Sequence, residues 1–261
     1  MERITRTTTI VLITGANQGI GLEIARNLST PSLYPDHHVI IGSRHLAKGE
    51  AAGDELLKQD PTRSISAISI DLNSDASIAA AAATILKAFG RIDVLINNAG
   101  IMGEPPAKTS TSRPEMQKMF DTNLFGTAAV TEAFIPLLEN STQRNPRIVF
   151  LSSQLASLGT KAGGVHPSCA RNFPAYRCSK AALNMLMLHY AAVYGNRGWK
   201  INAADPGLTK TYLGGEVMKQ IMGSGVPGTV EDGAKEACRL ATLGADGENG
   251  TYSSKEGVRP W

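Results

Sequence analysis

Seven short apolar runs, most of them rich in β-branched residues, recur along the chain with helix-length stretches between them. This alternation limits the fold more than any other feature. The runs are TTIVLIT (8–14), HVIIGS (38–43), SISAISI (64–70), IDVLINN (92–98), RIVFLSS (147–153), WKINAAD (199–205) and a short TYSS (251–254). Segments that are apolar on successive residues cannot present one wet face, so they are expected to pair in a parallel sheet covered on both sides. The intervening stretches predict helices over 19–29, 45–59, 75–89, 114–138, 176–195 and 230–243. Ser74 is the expected N-cap of the third, and Pro114 suits the first turn of the fourth. Such βαβ alternation over all 261 residues predicts one doubly wound α/β domain, a parallel sheet of about seven strands with helices on both faces. Ligands in that architecture bind beyond the carboxyl ends of the strands, so residues placed there matter most.

Composition removes several function classes. Hydrophobic residues make up 42% and charged residues 19%, the balance of an ordinary globular protein. The net charge is only +3 and the basic residues are scattered, which argues against a nucleic-acid partner. Cys169, Cys178 and Cys238 are odd in number and form no CxxC pair, which suits a reducing compartment rather than a disulfide framework or a metal site. The first apolar run, Ile10 to Ile13, is too short for a membrane span or a signal-peptide core. A cytoplasmic chain with no membrane partner is expected, as a monomer or a homo-oligomer.

The first run leads straight into Thr14-Gly15-Ala16-Asn17-Gln18-Gly19-Ile20-Gly21 and then a helix. Spaced glycines let the backbone turn tightly and approach a pyrophosphate, while the helix N-terminus offers free N–H groups and partial positive charge. This strand–turn–helix context is that of a Rossmann-type dinucleotide site. The end of the second run selects the nucleotide. A carboxylate there would hold a ribose 2′-OH, but this chain has Gly42-Ser43-Arg44, and an arginine can take a 2′-phosphate through two charge-assisted hydrogen bonds. NADP(H) is therefore the expected cofactor. Asp71-Leu72 ends the third run and either receives an adenine or makes a helix-capping turn. Asn97-Asn98-Ala99-Gly100 ends the fourth and either lines the ribose and nicotinamide or makes a polar turn.

Tyr176 and Lys180 are four apart at a helix start and so share a face. A tyrosine has an ordinary pKa of about 10, too high for ready proton exchange near neutrality. A positive charge at about 4 Å supplies roughly the 4 kcal/mol needed to bring it to about 7, so Lys180 is expected to lower the phenol's pKa. Ser152-Ser153 closes the fifth run, where a hydroxyl can donate to a carbonyl oxygen as charge develops or can simply make a strand-end turn. Asn123 lies in Thr122-Asn123-Leu124-Phe125-Gly126-Thr127 of the fourth helix.

With these motifs in order, the chain resembles the short-chain dehydrogenase/reductase family over nearly its full length. The matching pieces are TGANQGIG (14–21), Asp71-Leu72, NNAG (97–100), Asn123, Ser153, Tyr176 with Lys180, and Pro206-Gly207 with Thr211. The resemblance implies that Ser153, Tyr176 and Lys180 are catalytic and that Asn123 holds a water completing a proton relay to Lys180. It implies that Lys180 binds the nicotinamide ribose and that Pro206, Gly207, Thr209 and Thr211 contact the nicotinamide end. Within the family the chain is most similar to the carbonyl-reductase branch, whose substrates are ketones, aldehydes and quinones. A non-catalytic nucleotide-binding member, or an NADP-linked alcohol dehydrogenase running oxidatively, is the alternative. Gln18 stands where NADPH-dependent relatives often carry a basic residue, so the phosphate would rest mainly on Arg44.

Ser153 and Tyr176 are 23 positions apart, which implies a short insertion at about 160–174. His166 and Arg171 within it either orient a polar or acidic substrate or form a solvated loop. A stretch at 208–228 rich in Gly and Met is the expected substrate loop and lid. Residues 181–193 are apolar nearly all round, which predicts burial on both sides, and His189 among them is expected to pack or to face a subunit interface.

Overall fold

Strands β1 (Thr9–Ile13), β2 (His37–Ser43), β3 (Ile65–Ser69), β4 (Val94–Asn97), β5 (Arg147–Leu151), β6 (Lys200–Asp205) and β7 (Tyr252–Ser254) fall on the seven predicted runs in the computed structural model. The structure describes residues 4–103, 111–143, 145–164, 173–209 and 228–261. The strands lie side by side in the order β3-β2-β1-β4-β5-β6-β7, every neighbouring pair parallel. An eighth strand, β8 (Gly257–Val258), pairs antiparallel with β7. Among the described residues the sheet thus has the seven expected parallel strands and this one further edge strand. Two residues behind a tight turn carry too little pattern to be recognised in a sequence.

Successive side chains of each central strand enter different cores, as the period of two requires. Ile10 and Leu12 of β1 pack with Ile40, Ile78, Phe134, Leu183 and Met187 on one face. Val11 and Ile13 pack with Ile24, Leu28, Leu56 and Leu240 on the other. The first layer is supplied by α3 (Asp75–Phe89), α5 (Thr127–Glu139) and α7 (Pro174–Tyr194); the second by α1 (Gly19–Leu28), α2 (Leu46–Gln59) and α8 (Val230–Ala241). Burial of both faces is what the continuous apolar runs demand.

Several helix ends follow local chemistry. Ser74 caps α3 by accepting from Ser77 N at 3.2 Å, and Gly90 closes the same helix in the left-handed conformation at φ 74°. Ser112 and Glu115 form a capping box on α4 (Arg113–Phe120), with Pro114 in its first turn. α1, like α2, α5 and α7, has no side-chain cap bond: its N-cap is Gln18, and no acidic residue stands in its first turn.

Three expectations need correction. The helix predicted over 114–138 is interrupted: between α4 and α5 the chain widens into a π-helical turn, Asp121–Gly126, which periodicity cannot distinguish from continuous helix. A short helix not foreseen, α6 (Leu158–Gly163), starts at Ser157, whose hydroxyl accepts from Thr160 N at 2.9 Å. The stretch 181–193 is not buried all round. Leu183, Met187 and Tyr190 are buried, whereas Met185 is 67% exposed and Val193 46%. Among the described residues, no helix is long and apolar enough to cross a membrane.

Candidate active site

Strand order reverses between β1 and β4, and the polar groups at that junction are locked together. Thr14 Oγ1 accepts from Asn98 N at 3.1 Å and Ala99 N at 3.0 Å. Asn98 Nδ2 donates to the carbonyls of Thr14 (2.8 Å) and Gly15 (3.1 Å). Only glycine permits this approach at two positions. Gly15 has φ +64°, and a Cβ there would lie 2.9 Å from Ala99 Cα; at Gly21 it would meet Asn98 Nδ2 and come 2.7 Å from Gly15 O. Asn98 thus clamps the glycine turn to β4, while its neighbour Asn97 donates to Thr131 Oγ1 at 3.0 Å and belongs to the core.

A cavity of about 490 Å³ runs along the carboxyl ends of the strands from this junction. Its lining brings together Gly15, Asn17, Gln18, Gly19, Ile20 and Gly21; Ser43 and Arg44; Asp71 and Leu72; Asn98, Ala99 and Gly100; and Tyr176, Lys180 and Pro206. His45 and Lys48 line it beside Arg44 and escaped the sequence argument, because Lys48 lies one helical turn beyond the strand end that was inspected. Ser43 is buried, its hydroxyl donating to His45 O at 3.0 Å and Asn17 Oδ1 at 3.3 Å, so it shapes the turn that presents Arg44. Asp71 lines the cleft and its Oδ1 accepts from Asn73 N at 3.1 Å, a turn ahead of the helix, whose cap is Ser74. Gly207 and Thr209 are not in the lining. Thr209 turns its hydroxyl back to Pro206 O at 3.0 Å, and Gly207 N donates to Asp205 Oδ1 at 2.9 Å. Thr211, His166, Arg171 and nearly all of the 208–228 loop lie outside the described residues.

The far end of the cleft is buried and polar. Tyr176 is 6% exposed and Lys180 4%. Lys180 Nζ donates to Leu151 O at 2.7 Å and sits 5.9 Å from the centroid of the Tyr176 ring. Burial pushes the Tyr176 phenol up to about 12, against the pull of a hydrogen bond with the Ser153 side chain and with a further push from Asp205. Burial also brings the Lys180 ammonium down to about 8. The expected lowering of the tyrosine by Lys180 is therefore reversed: desolvation of the phenolate outweighs a lysine that is itself driven toward neutrality and directed at a backbone carbonyl. Asp205 is a site residue that sequence reasoning missed. Its signal was an acid closing an otherwise apolar strand. It is 2% exposed, and Arg259 Nε lies 3.2 Å from its Oδ2.

The two serines separate cleanly. Ser152 lines the cleft, but its hydroxyl is occupied, Oγ donating to Asn184 Oδ1 at 2.6 Å. Ser153 caps the short 3₁₀ turn Gln154–Ala156 and faces the tyrosine, and its own carbonyl accepts from Tyr252 Oη at 2.6 Å. Asn123 is fully buried. Its Oδ1 accepts from Ile101 N at 2.8 Å, and its Nδ2 donates to Ile101 O at 2.9 Å and Ser179 Oγ at 3.0 Å. Both amide hydrogens and one lone pair of the oxygen are engaged, so its side chain ties the 97–101 loop to α7.

This geometry agrees with the comparison to known proteins. Residues 9–221 match the model of the short chain dehydrogenase family. The chain belongs to that family. A short-chain dehydrogenase/reductase of Stachybotrys chlorohalonatus is 42% identical over 259 residues, covering 95% of this chain and 89% of the relative. The (−)-isopiperitenone reductase of Mentha piperita is 29% identical, with 94% and 96% covered. Among solved structures, NADPH-bound carbonyl reductase from chicken fatty liver superposes with a TM-score of 0.78 at 26% identity, covering 97% of this chain and 99% of that one. The 3-ketoacyl-(acyl-carrier-protein) reductase of Brucella melitensis, complexed with NADH, gives 0.77 at 22% identity, with 96% and 98% covered, and supports the fold alone.

Short-chain dehydrogenase/reductases bind a nicotinamide cofactor, and the residues here suit one. The uncapped first turn of α1 leaves its N–H groups for a pyrophosphate, with no acidic side chain in that turn to compete. Replacing Asn123 with Ala strands the buried Ile101 and Ser179 groups and is expected to cost about 2–4 kcal/mol of stability, read from chemical denaturation. Unchanged stability would contradict the clamp.

Proposed function

We propose that this enzyme is an NADPH-dependent reductase that transfers a hydride to the carbonyl carbon of a ketone, aldehyde or quinone in a small apolar or aromatic substrate. The observation that supports it best is that one cleft has Arg44 and Lys48 at one end and Tyr176 and Lys180 at the other.

At the Arg44 end the chemistry favours a phosphate over a ribose hydroxyl. No carboxylate follows β2 before α2, where the sequence is Ser43-Arg44-His45. Arg44 and Lys48 supply two cations on the same wall, which compensates for Gln18 standing where a basic residue is common.

At the buried end, the bound dihydronicotinamide supplies the hydride and the protein supplies the proton. Ser153, hydrogen-bonded with the phenol, can donate to the carbonyl oxygen as it gains charge. Tyr176 then gives its proton to the developing alkoxide. A phenol at about 12 keeps that proton at every physiological pH. It is still a stronger acid than an alkoxide's conjugate alcohol, which resembles water at roughly 15.7. Lys180 steadies the phenolate as it forms. The oxidative direction runs through the same groups in reverse, with a phenolate at the start, and burial pushing the phenol upward makes that state scarce near neutrality. The intact set of Ser153, Tyr176 and Lys180 favours an enzyme over a non-catalytic nucleotide binder.

Three outcomes test this reading. Tyr176→Phe should lower kcat for carbonyl reduction by about 100-fold or more, the usual worth of general acid catalysis; retained turnover would sink the mechanism. Arg44→Asp should reduce the NADPH over NADH preference by about 10- to 100-fold through loss of charge-assisted bonds, and a preference left intact would remove Arg44 from the phosphate site. Lys180 is charged below its pKa of about 8 and neutral above it, so reductive kcat/KM should fall as pH rises through about 8. Tyr176, at about 12, should add no second fall below pH 10. A profile flat from pH 6 to pH 10 would count against a working charge on Lys180.

A further inference from the structure

A second cavity, of about 290 Å³, adjoins the cofactor cleft and shares Tyr176 with it. Besides Gly103 and Thr111, its walls come from α4 and the start of α7. The entry to α7 contributes Phe173, Pro174 and Ala175, and one side of α4 contributes Glu115, Lys118 and Met119. Met119 and Phe173 are 3% and 4% exposed, so they form a packed apolar floor beneath the cavity.

Phe173 is held there with some force. It has φ +57° and is the non-glycine residue with positive φ among those described. A bulky side chain in the left-handed region is disfavoured and persists where the surroundings fix it. Pro174 begins α7 immediately after it, so the backbone strain and the helix start together set the position of the Phe173 ring.

The two charges on α4 are not equivalent. Glu115 Oε2 accepts from Ser112 N at 2.7 Å, Ser112 Oγ at 2.9 Å and Thr111 Oγ1 at 3.4 Å. Its charge is thereby spent on the capping box and on the positive end of the helix. Lys118 makes no ion pair or hydrogen bond with any described residue. It is exposed and lines the same cavity as the proposed proton donor. A cavity lined both by the reacting phenol and by a cation unpaired among the described residues fits a substrate that carries a carbonyl and an anionic group.

We infer that this cavity takes the body of the carbonyl substrate, and that Lys118 is a specificity residue that binds an anionic group remote from the carbonyl. The implied substrate class is an aryl ketone or quinone that carries a carboxylate or an acidic phenol. This rests on the proposed reductase function for the position of the carbonyl, but the charge preference can be measured without turnover.

The experiment is a calorimetric titration of 4-benzoylbenzoate and of its neutral methyl ester into the NADP⁺-saturated protein and two variants. The acid should bind wild type about tenfold more tightly than the ester, the worth of one partly exposed charge-assisted contact. Lys118→Arg should keep that preference and Lys118→Glu should abolish it, with ester affinity and thermal midpoint little changed in both. Equal binding of acid and ester, failure of both to bind, or a preference surviving Lys118→Glu would overturn the inference. Turnover of the ester by wild type and by Tyr176→Phe is measured in parallel. Equal binding of acid and ester by the wild type, with normal ester reduction, rejects the Lys118 assignment alone. A preference that persists when neither compound is reduced rejects the reductase function alone.

Discussion

The hydrogen bonds joining Thr14, Asn98 and Ala99 hold together the point where the sheet changes direction. Parallel strands leaving β1 toward opposite edges open a crevice between β1 and β4, and backbone groups at a crevice lose their ladder partners. Here the Thr14 hydroxyl takes the N–H of both Asn98 and Ala99, and the Asn98 amide takes the carbonyls of Thr14 and Gly15. The junction is therefore satisfied without filling the crevice. The glycine turn that results is fixed by its neighbours rather than by a ligand, and the free N–H groups of α1 point from a preorganised frame. A frame ordered beforehand loses little freedom when a ligand binds.

Burial sets the chemistry at the other end. Tyr176 and Lys180 are both enclosed, and desolvation moves each toward its neutral form, the phenol upward and the ammonium downward. An argument from attraction alone predicts a lowered tyrosine, because it counts the charge and omits the medium. The medium wins here because Lys180 has Leu151 O as its hydrogen-bond partner and because Asp205 adds negative potential near the phenol. A site built this way stores a proton on oxygen and a modest, pH-sensitive positive charge beside it, which is the inventory a reduction consumes.

The strands, their order of use and the polar residues at their ends were legible in the sequence because each is a local signal. An apolar run, a glycine spacing and a Tyr-x-x-x-Lys step all lie within a few residues. What escaped depends on contacts between distant segments. Asn123 reads as a helix residue, yet its amide is consumed by Ile101 and Ser179, 22 and 56 positions away. Ser152 and Ser153 are indistinguishable as letters, and only the pleat sends one to Asn184 and the other toward Tyr176. Lys48 and Asp205 were overlooked for a similar reason: one lines the cleft and the other acts through its charge on the buried phenol, and spacing along the chain encodes neither.

One stripe of α7 shows how closely the core and the site are coupled. Tyr176, Ser179, Lys180, Leu183, Asn184 and Met187 recur at three- and four-residue intervals and are all buried. Leu183 and Met187 fix the helix against the sheet, and the remaining freedom is rotation about its own axis. That rotation is pinned by polar contacts on both flanks, Asn123 to Ser179 at 3.0 Å and Ser152 to Asn184 at 2.6 Å. Between those two bonds lies Lys180, and one turn earlier the phenol meets Ser153. A helix seated only by apolar contacts could slide or rotate by a fraction of a turn at small cost, since such contacts have no direction. Hydrogen bonds do have direction, and two of them bracketing the reactive pair convert a packed helix into a positioned one. The buried asparagines and serines around the cleft are thus the means by which a generic α/β core holds a phenol in a fixed position.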